Sequence, residues 1–295
     1  MKPHSKGMIA VESARDSTDN LVLGLTFTVF FLLSSGYFII ATLLSEEMKG
    51  AGLLEGAIGV ASALIGGGIT FVAILLIGMF FVRMHRQTVL GNSLHVEYSD
   101  YAWLRNWANK VAADLNMPRV EMFVTQDPMM NAYAFGFARP YCIVLNSGSM
   151  RYLTKDELKV IVVHEMAHIK YGHTTASVYL QPFMSMPFVS VFTSWIAGFW
   201  NRRIELTSDR LALMYLGDPE LVKSALIKIH VGPDVASAMN QTARDWLQYN
   251  AERPMNRFAQ TFSSHPFLVR RLSHIDRLRA HITPATTPAQ SALEQ

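Results

Sequence analysis

Two histidines four residues apart with a glutamate between them, His164-Glu165-Met166-Ala167-His168, are the residues of this chain best suited to do chemistry. On an α-helix, positions i and i+4 share a face. The two imidazoles can then hold one metal ion while Glu165 projects beside them, within reach of a water molecule on that ion. Ile161, Val162 and Val163 precede the motif and Ile169 follows it, with no proline or glycine, so the pattern lies in an apolar helix-forming run rather than on a solvated surface. A zinc ion that keeps one position open for water needs a third protein ligand. The stretch Arg202-Arg203-Ile204-Glu205-Leu206-Thr207-Ser208-Asp209 offers carboxylates for that role.

The order of these stretches resembles peptidase family M48, integral-membrane zinc metallopeptidases that include the HtpX-like proteases. Glu205 and Asp209, with Arg202 three residues before the glutamate, fit the family's second motif, E-x-x-x-D. Asn131-Ala132-Tyr133-Ala134 is similar to its N-A-F-A segment, and Ser264-His265-Pro266 with Arg271 to its C-terminal element. The resemblance runs over about residues 95 to 281. It implies His164, His168 and Glu205 as ligands of one zinc ion and Glu165 as the general base. It also implies His265 and Arg271 as donors to the oxyanion, and Asn131, Ala132 and Tyr133 beside the substrate strand. Zinc in such a site would lower the pKa of water from 15.7 toward about 7. Asp209 either orients a ligand or ties Arg202, or it forms a structural salt bridge; Asn131 either lies at the substrate or caps a turn. His173, five residues beyond His168 and about 140° round a continuous helix from it, is not expected to reach the ion.

Half of the 295 residues are apolar and a single cysteine, Cys142, excludes an intrachain disulfide. A net charge of +3 and the absence of a Gly-rich phosphate loop argue against nucleic-acid or nucleotide partners. The apolar excess lies at the front. Residues 21–44 and 56–82 carry no charge and are long enough to span a bilayer core of about 30 Å. Gly52, Gly56, Gly59, Ala63 and Gly67 form a stripe of small residues suited to close helix packing in lipid. Lys2, Lys6 and Arg15 precede the pair and Arg83 and Arg86 follow it. The loop between carries Lys49 against Glu46, Glu47 and Glu55, which places both ends on the cytoplasmic side.

After the pair, apolar spacing predicts a helix over 99–116. Short extended runs follow at 119–125, 132–137 and 141–145, then a helix opened by a Thr154/Glu157 capping box and carrying the metal motif. Residues 174–200 again lack charge. A single crossing there would put Glu205 across the membrane from His168, and two crossings need about 40 residues where only 37 separate them. An apolar flap on or in the membrane interface satisfies both limits, with Trp195, Phe199 and Trp200 at headgroup level.

The expected architecture is mainly α with a small antiparallel β-sheet. Residues 1–20 form a flexible tail, 21–82 a transmembrane helical hairpin, 83–281 a zincin-like metallopeptidase domain with the flap at 174–200, and 282–295 a disordered tail. The expected function is that of a membrane-anchored zinc-dependent endopeptidase acting on unfolded or membrane polypeptides at the cytoplasmic face of a bacterial inner membrane. The competing reading is a zinc-containing membrane adaptor that binds without hydrolysing, and Glu165 argues against it.

Overall fold

The computed structural model describes residues 3–45, 50, 52–184, 190–261, 263 and 266–279. The tail expected at 282–295 and the candidate His265 lie outside these residues. Two long apolar helices, α2 (Asp19–Leu43) and α3 (Leu53–Gly91), pair along their length. At 1.5 Å per residue they measure about 38 and about 58 Å, so either could cross a bilayer by length and composition. The small-residue stripe meets α2 at Gly67: a Cβ built there would stand 2.7 Å from Ser35 Cα, which only glycine allows. About 28 Å of α3 exceeds a 30 Å core. That extension delivers Arg86, 4% exposed, into the folded domain, where its Nη2 donates to Pro140 O at 2.7 Å and to Cys142 Sγ at 3.0 Å. Arg86 is therefore a structural tie as well as a flanking charge.

Residues 3–14, expected within a flexible tail, instead form helix α1 (Pro3–Ala14) against the main hydrophobic core. Its packing face consists of Gly7, Ala10, Val11 and Ala14, with Ala10 and Ala14 3% and 0% exposed. A Cβ at Gly7 would lie 2.3 Å from Asp114 O at the end of α4 (Ala102–Asp114). Small residues carry little hydrophobic signal, which hides such a face in the sequence.

The sheet comprises β1 (Leu94–His95), β2 (Val120–Thr125), β3 (Ala132–Phe135) and β4 (Tyr141–Asn146) in the order β1-β2-β4-β3. It is mixed rather than antiparallel: β2 and β4 run parallel, Met122 opposite Ile143, while β3 is antiparallel to β4, Tyr133 opposite Val144. The chain leaving β2 crosses the end of β4 before turning back, pinned by Gly148 N donating to Asp127 O and Asn146 N to Asn131 O. Outer strand β3 and buried β4 thus form the hairpin, which leaves β2 parallel to β4. A short helix α5 (Ser147–Tyr152) leads to α6 (Lys155–Lys170).

The capping box opens α6 as its residues predict. Thr154 Oγ1 accepts from Glu157 N, and Glu157 Oε2 accepts from Thr154 N at 2.8 Å. Helix α6 is almost wholly buried from Leu158 to Ile169 and runs beside α8 (Ser190–Leu216). Between them α7 (His173–Met184) begins after Gly172, whose φ of +74° ends α6. Helices α9 (Pro219–Val231), α10 (Pro233–Ala238), α11 (Gln241–Glu252), α12 (Pro254–Gln260) and α13 (Leu268–Arg279) complete the domain.

The start of α8 and all of α7 but its first residue, His173, occupy the uncharged stretch 174–200. Helix α7 is about 18 Å long, too short to cross a bilayer. Trp200, expected at headgroup level, is instead 1% exposed and packs with Leu180 and with Phe30 of α2. Neighbouring side chains differ by 100° on a helix, so Trp195 and Phe199 face outward at 43% and 52% while Trp200 faces the first long helix.

Candidate metal centre and active site

Helices α6 and α8 bring the predicted ligands together. His164 Nε2 lies 3.2 Å from His168 Nε2 and 3.4 Å from Glu205 Oε2, and His168 Nε2 lies 3.7 Å from Glu205 Oε1. Ligands held at about 2.0–2.2 Å in a tetrahedron stand roughly 3.3–3.6 Å apart. The donor set and its spacing therefore fit a single metal ion. All three residues are well enclosed, at 8%, 12% and 11% side-chain exposure. Among the described residues His95, Glu97 and Glu121 also converge, but Arg105 lies among them, 3.1 Å from Glu97 and 3.2 Å from Glu121, so they form an ion-pair network.

Around the ligands stands a buried charged layer. Asp209, one turn beyond Glu205 on α8, sets its Oδ1 2.9 Å from His164 Nδ1, a contact that falls short of a well-aligned hydrogen bond. It leaves Nε2 turned toward the other ligands. Arg271 on α13 is bidentate to Asp209, with Nε at 2.7 Å and Nη2 at 2.6 Å, and its Nη1 lies 3.2 Å from Glu205. Arg271, expected as an oxyanion donor, directs its guanidinium at two carboxylates, one of them the candidate ligand Glu205. Arg202 does not reach Asp209. Its Nη1 donates to Thr261 O and Ser263 O at 2.9 and 2.6 Å, fixing the chain before α13, and Arg271 takes the place expected for it.

Burial acts to lower the pKa of His164, but the close carboxylates of Asp209 and Glu205 outweigh it and push the group up to about 10. His168 is pushed down to about 4, first by burial. A metal ligand must be a neutral imidazole, so the upward shift of His164 works against metal uptake as the pH falls. Burial also opposes the charged form of Asp209, yet Arg271 holds its pKa below the usual carboxylate value.

Because α6 ends at Lys170 and the chain turns at Gly172, His173 is not on the same helix as His168, and the 140° estimate does not apply. His173 Nδ1 lies 3.3 Å from His168 Nδ1, on the side of the ring away from the other ligands, and its ring also meets Trp200 edge-on. It neighbours the candidate ligand His168 and is not among the three residues whose ligand atoms converge.

Two cavities flank the three-residue cluster. One, of about 680 Å³, is lined by Glu165, His168 and Glu205, by strand β3, by Val178 of α7 and by Phe81, Val82 and His85 of α3. The other, of about 230 Å³, joins Glu165, His164 and Arg271 to Asn131, Ala132 and His230. Glu165, 8% exposed, borders both. Ala132 and Tyr133 lie on β3, at the outer edge of the sheet among the described strands; Asn131 precedes it, its carbonyl accepting from Ser149 Oγ at 2.9 Å. His230, in the last turn of α9, carries no sequence signal that would have selected it.

The model of peptidase family M48 matches residues 99–199 and 183–279. The Arabidopsis thaliana "Plastoglobule-localized metallopeptidase 48, chloroplastic" is 29% identical over 208 residues, 63% of this chain and 60% of that protein's length. The Moorella thermoacetica "Protease HtpX homolog" is 25% identical over 251 residues, 71% of this chain and 83% of that one. The crystal structure of S. mikatae Ste24p aligns at 17% identity with a TM-score of 0.46, covering 89% of this chain and 77% of that one. With matches that together run from residue 99 to residue 279, the chain belongs to peptidase family M48.

Proposed function

We propose that this protein is a membrane-anchored, zinc-dependent endopeptidase. The observation that carries the reading is the convergence of His164, His168 and Glu205 at ligand spacing with Glu165 beside them at the mouth of two cavities. A zinc ion held by these three groups supplies Lewis acidity, polarising a scissile carbonyl and acidifying water. Glu165 accepts a proton and returns it to the leaving amine. Asp209 keeps His164 oriented, and Arg271 balances the charge of both carboxylates. The outer edge of β3 offers main-chain donors and acceptors to an extended substrate, so affinity comes from backbone pairing more than from sequence.

Unfolded or membrane-derived polypeptides, in a quality-control role, are the proposed substrates. The larger cavity supports this, because part of its wall is the apolar helix α3 itself. Purified full-length protein in detergent should cleave an unfolded model protein, lose that activity to a chelator and regain it with zinc. Activity that survives exhaustive chelation would remove the metal from the mechanism.

The proposed topology has α2 and α3 crossing the membrane, the peptidase domain on the cytoplasmic side, and the α7–α8 hairpin at the interface. In a bacterial host this is the inner membrane. With Cys142 replaced by alanine, cysteines at Asn92, Lys170 and Asn201 should all label from the cytoplasmic side and one at Lys49 only from the other. Opposite labelling of Lys170 and Asn201 would separate Glu205 from the histidines and defeat the site.

A further inference from the structure

The head of the first long helix is wired into the helix that carries Glu205. Asp19, the first residue of α2 and 6% exposed, gives each carboxylate oxygen a different partner on α8. Arg203 Nε donates to Oδ1 at 3.1 Å and Thr207 Oγ1 donates to Oδ2 at 3.0 Å. Arg203 also pairs with Asp16 at 2.9 Å and with Thr18 Oγ1. Thr207 is 1% exposed. Arg203 and Thr207 lie four residues apart on one face of α8, each two residues from Glu205 and so about 200° round the helix from it. The opposite face presents Glu205 and Asp209, likewise four apart, to Arg271 and His164. The same N-terminal segment also reaches the other ligand helix: Tyr171 OH, at the end of α6, donates to Val11 O of α1 at 2.8 Å.

We infer that Asp19 is a positioning residue for the metal centre, bracing α8 from behind so that Glu205 stays in register with His164 and His168. The inference rests on the assignment of those three residues as ligands. Apolar packing between α6 and α8 resists their separation but supplies no directional partner that fixes one axial position. Two hydrogen bonds to side chains one turn apart, about 6 Å along the axis, fix that axial position. The tolerance is narrow: metal–ligand distances hold to about 0.2 Å, and an ångström of slip at Glu205 would exceed it. Asp19 itself precedes residues 99–279, over which the family model matches, while its partners Arg203 and Thr207 lie within them.

The test uses full-length protein in detergent with Co²⁺ as the probe, read by its visible absorption and by competition with a chromophoric chelator. Asp19→Ala and Thr207→Val should each weaken cobalt binding at least tenfold and alter the ligand-field bands. The double variant should be no weaker than Asp19→Ala alone, because Thr207 acts through Asp19. Tyr215→Phe serves as the structural control. It removes a 2.8 Å hydrogen bond to Asp114 at the far end of α8, and should lower the unfolding temperature without moving the cobalt constant.

Cobalt binding by Asp19→Ala within threefold of the parent, with unchanged bands, would overturn the inference. So would an equal loss in Tyr215→Phe, which would mean general loosening. Should Asp19→Ala fail to fold, Thr207→Val decides on the same thresholds. A parent that takes up no cobalt would remove the ligand assignment and the brace with it.

Discussion

Glu165→Gln is expected to retain the metal and the fold while losing peptide hydrolysis by about 10² to 10⁴-fold, the usual worth of a general acid–base group. The amide keeps the size and much of the hydrogen bonding of the carboxylate but cannot take up a proton at neutral pH. Glu165 is one residue from His164 on a buried helix, yet it is absent from the trio whose ligand atoms converge. Its loss should therefore leave metal content at the parent value. The measurement is kcat/KM on an unfolded protein substrate alongside metal analysis of the same sample. A variant within tenfold of the parent would assign the proton transfer elsewhere, and a variant that lost its metal would make Glu165 a ligand.

The largest effect on stability should come from Arg271→Leu. The arginine is 6% exposed and holds two carboxylates one helical turn apart, Glu205 and Asp209. Removing it leaves both buried without their cation, and breaking a buried pair in this way costs about 3–5 kcal/mol. The expected fall in unfolding temperature is on the order of 10 °C. It should be larger in chelated protein, because a bound metal ion shares the task of neutralising Glu205. Arg271→Lys should recover only part of the loss, since an ammonium cannot reproduce the bidentate geometry. A loss below about 1 kcal/mol in the metal-free protein would mean that water or another cation already satisfies these carboxylates.

What the sequence disclosed and what it concealed divide along physical lines. The metal motif was legible because its geometry is local: a capping box, an apolar run and two histidines four apart dictate a buried helix with a ligand face. The two long apolar helices were legible from composition. Glu205 could be chosen over Asp209 only by resemblance, since both occupy one face of α8. The parallel pairing of β2 with β4 was hidden, because extended runs reveal strands but not their order. The end of α6 at Gly172 turned His173 toward His168, where a helix assumed continuous placed it away. The partners of Arg202 and Arg271 are set by where the end of α12 and α13 come to rest on α8, a long-range fact with no local signature. Helix α1 was read as a tail because its buried face is built from glycine and alanine.

The most direct test of the central claim is X-ray absorption at the zinc edge on the purified full-length protein, with metal content measured for the parent and for Glu205→Ala. Ligation by His164, His168 and Glu205 requires about one zinc per chain, with nitrogen and oxygen ligands only at about 2.0–2.2 Å, two of them imidazoles, and loss of that zinc in Glu205→Ala. A sulfur ligand near 2.3 Å, or full zinc occupancy in Glu205→Ala, would contradict it.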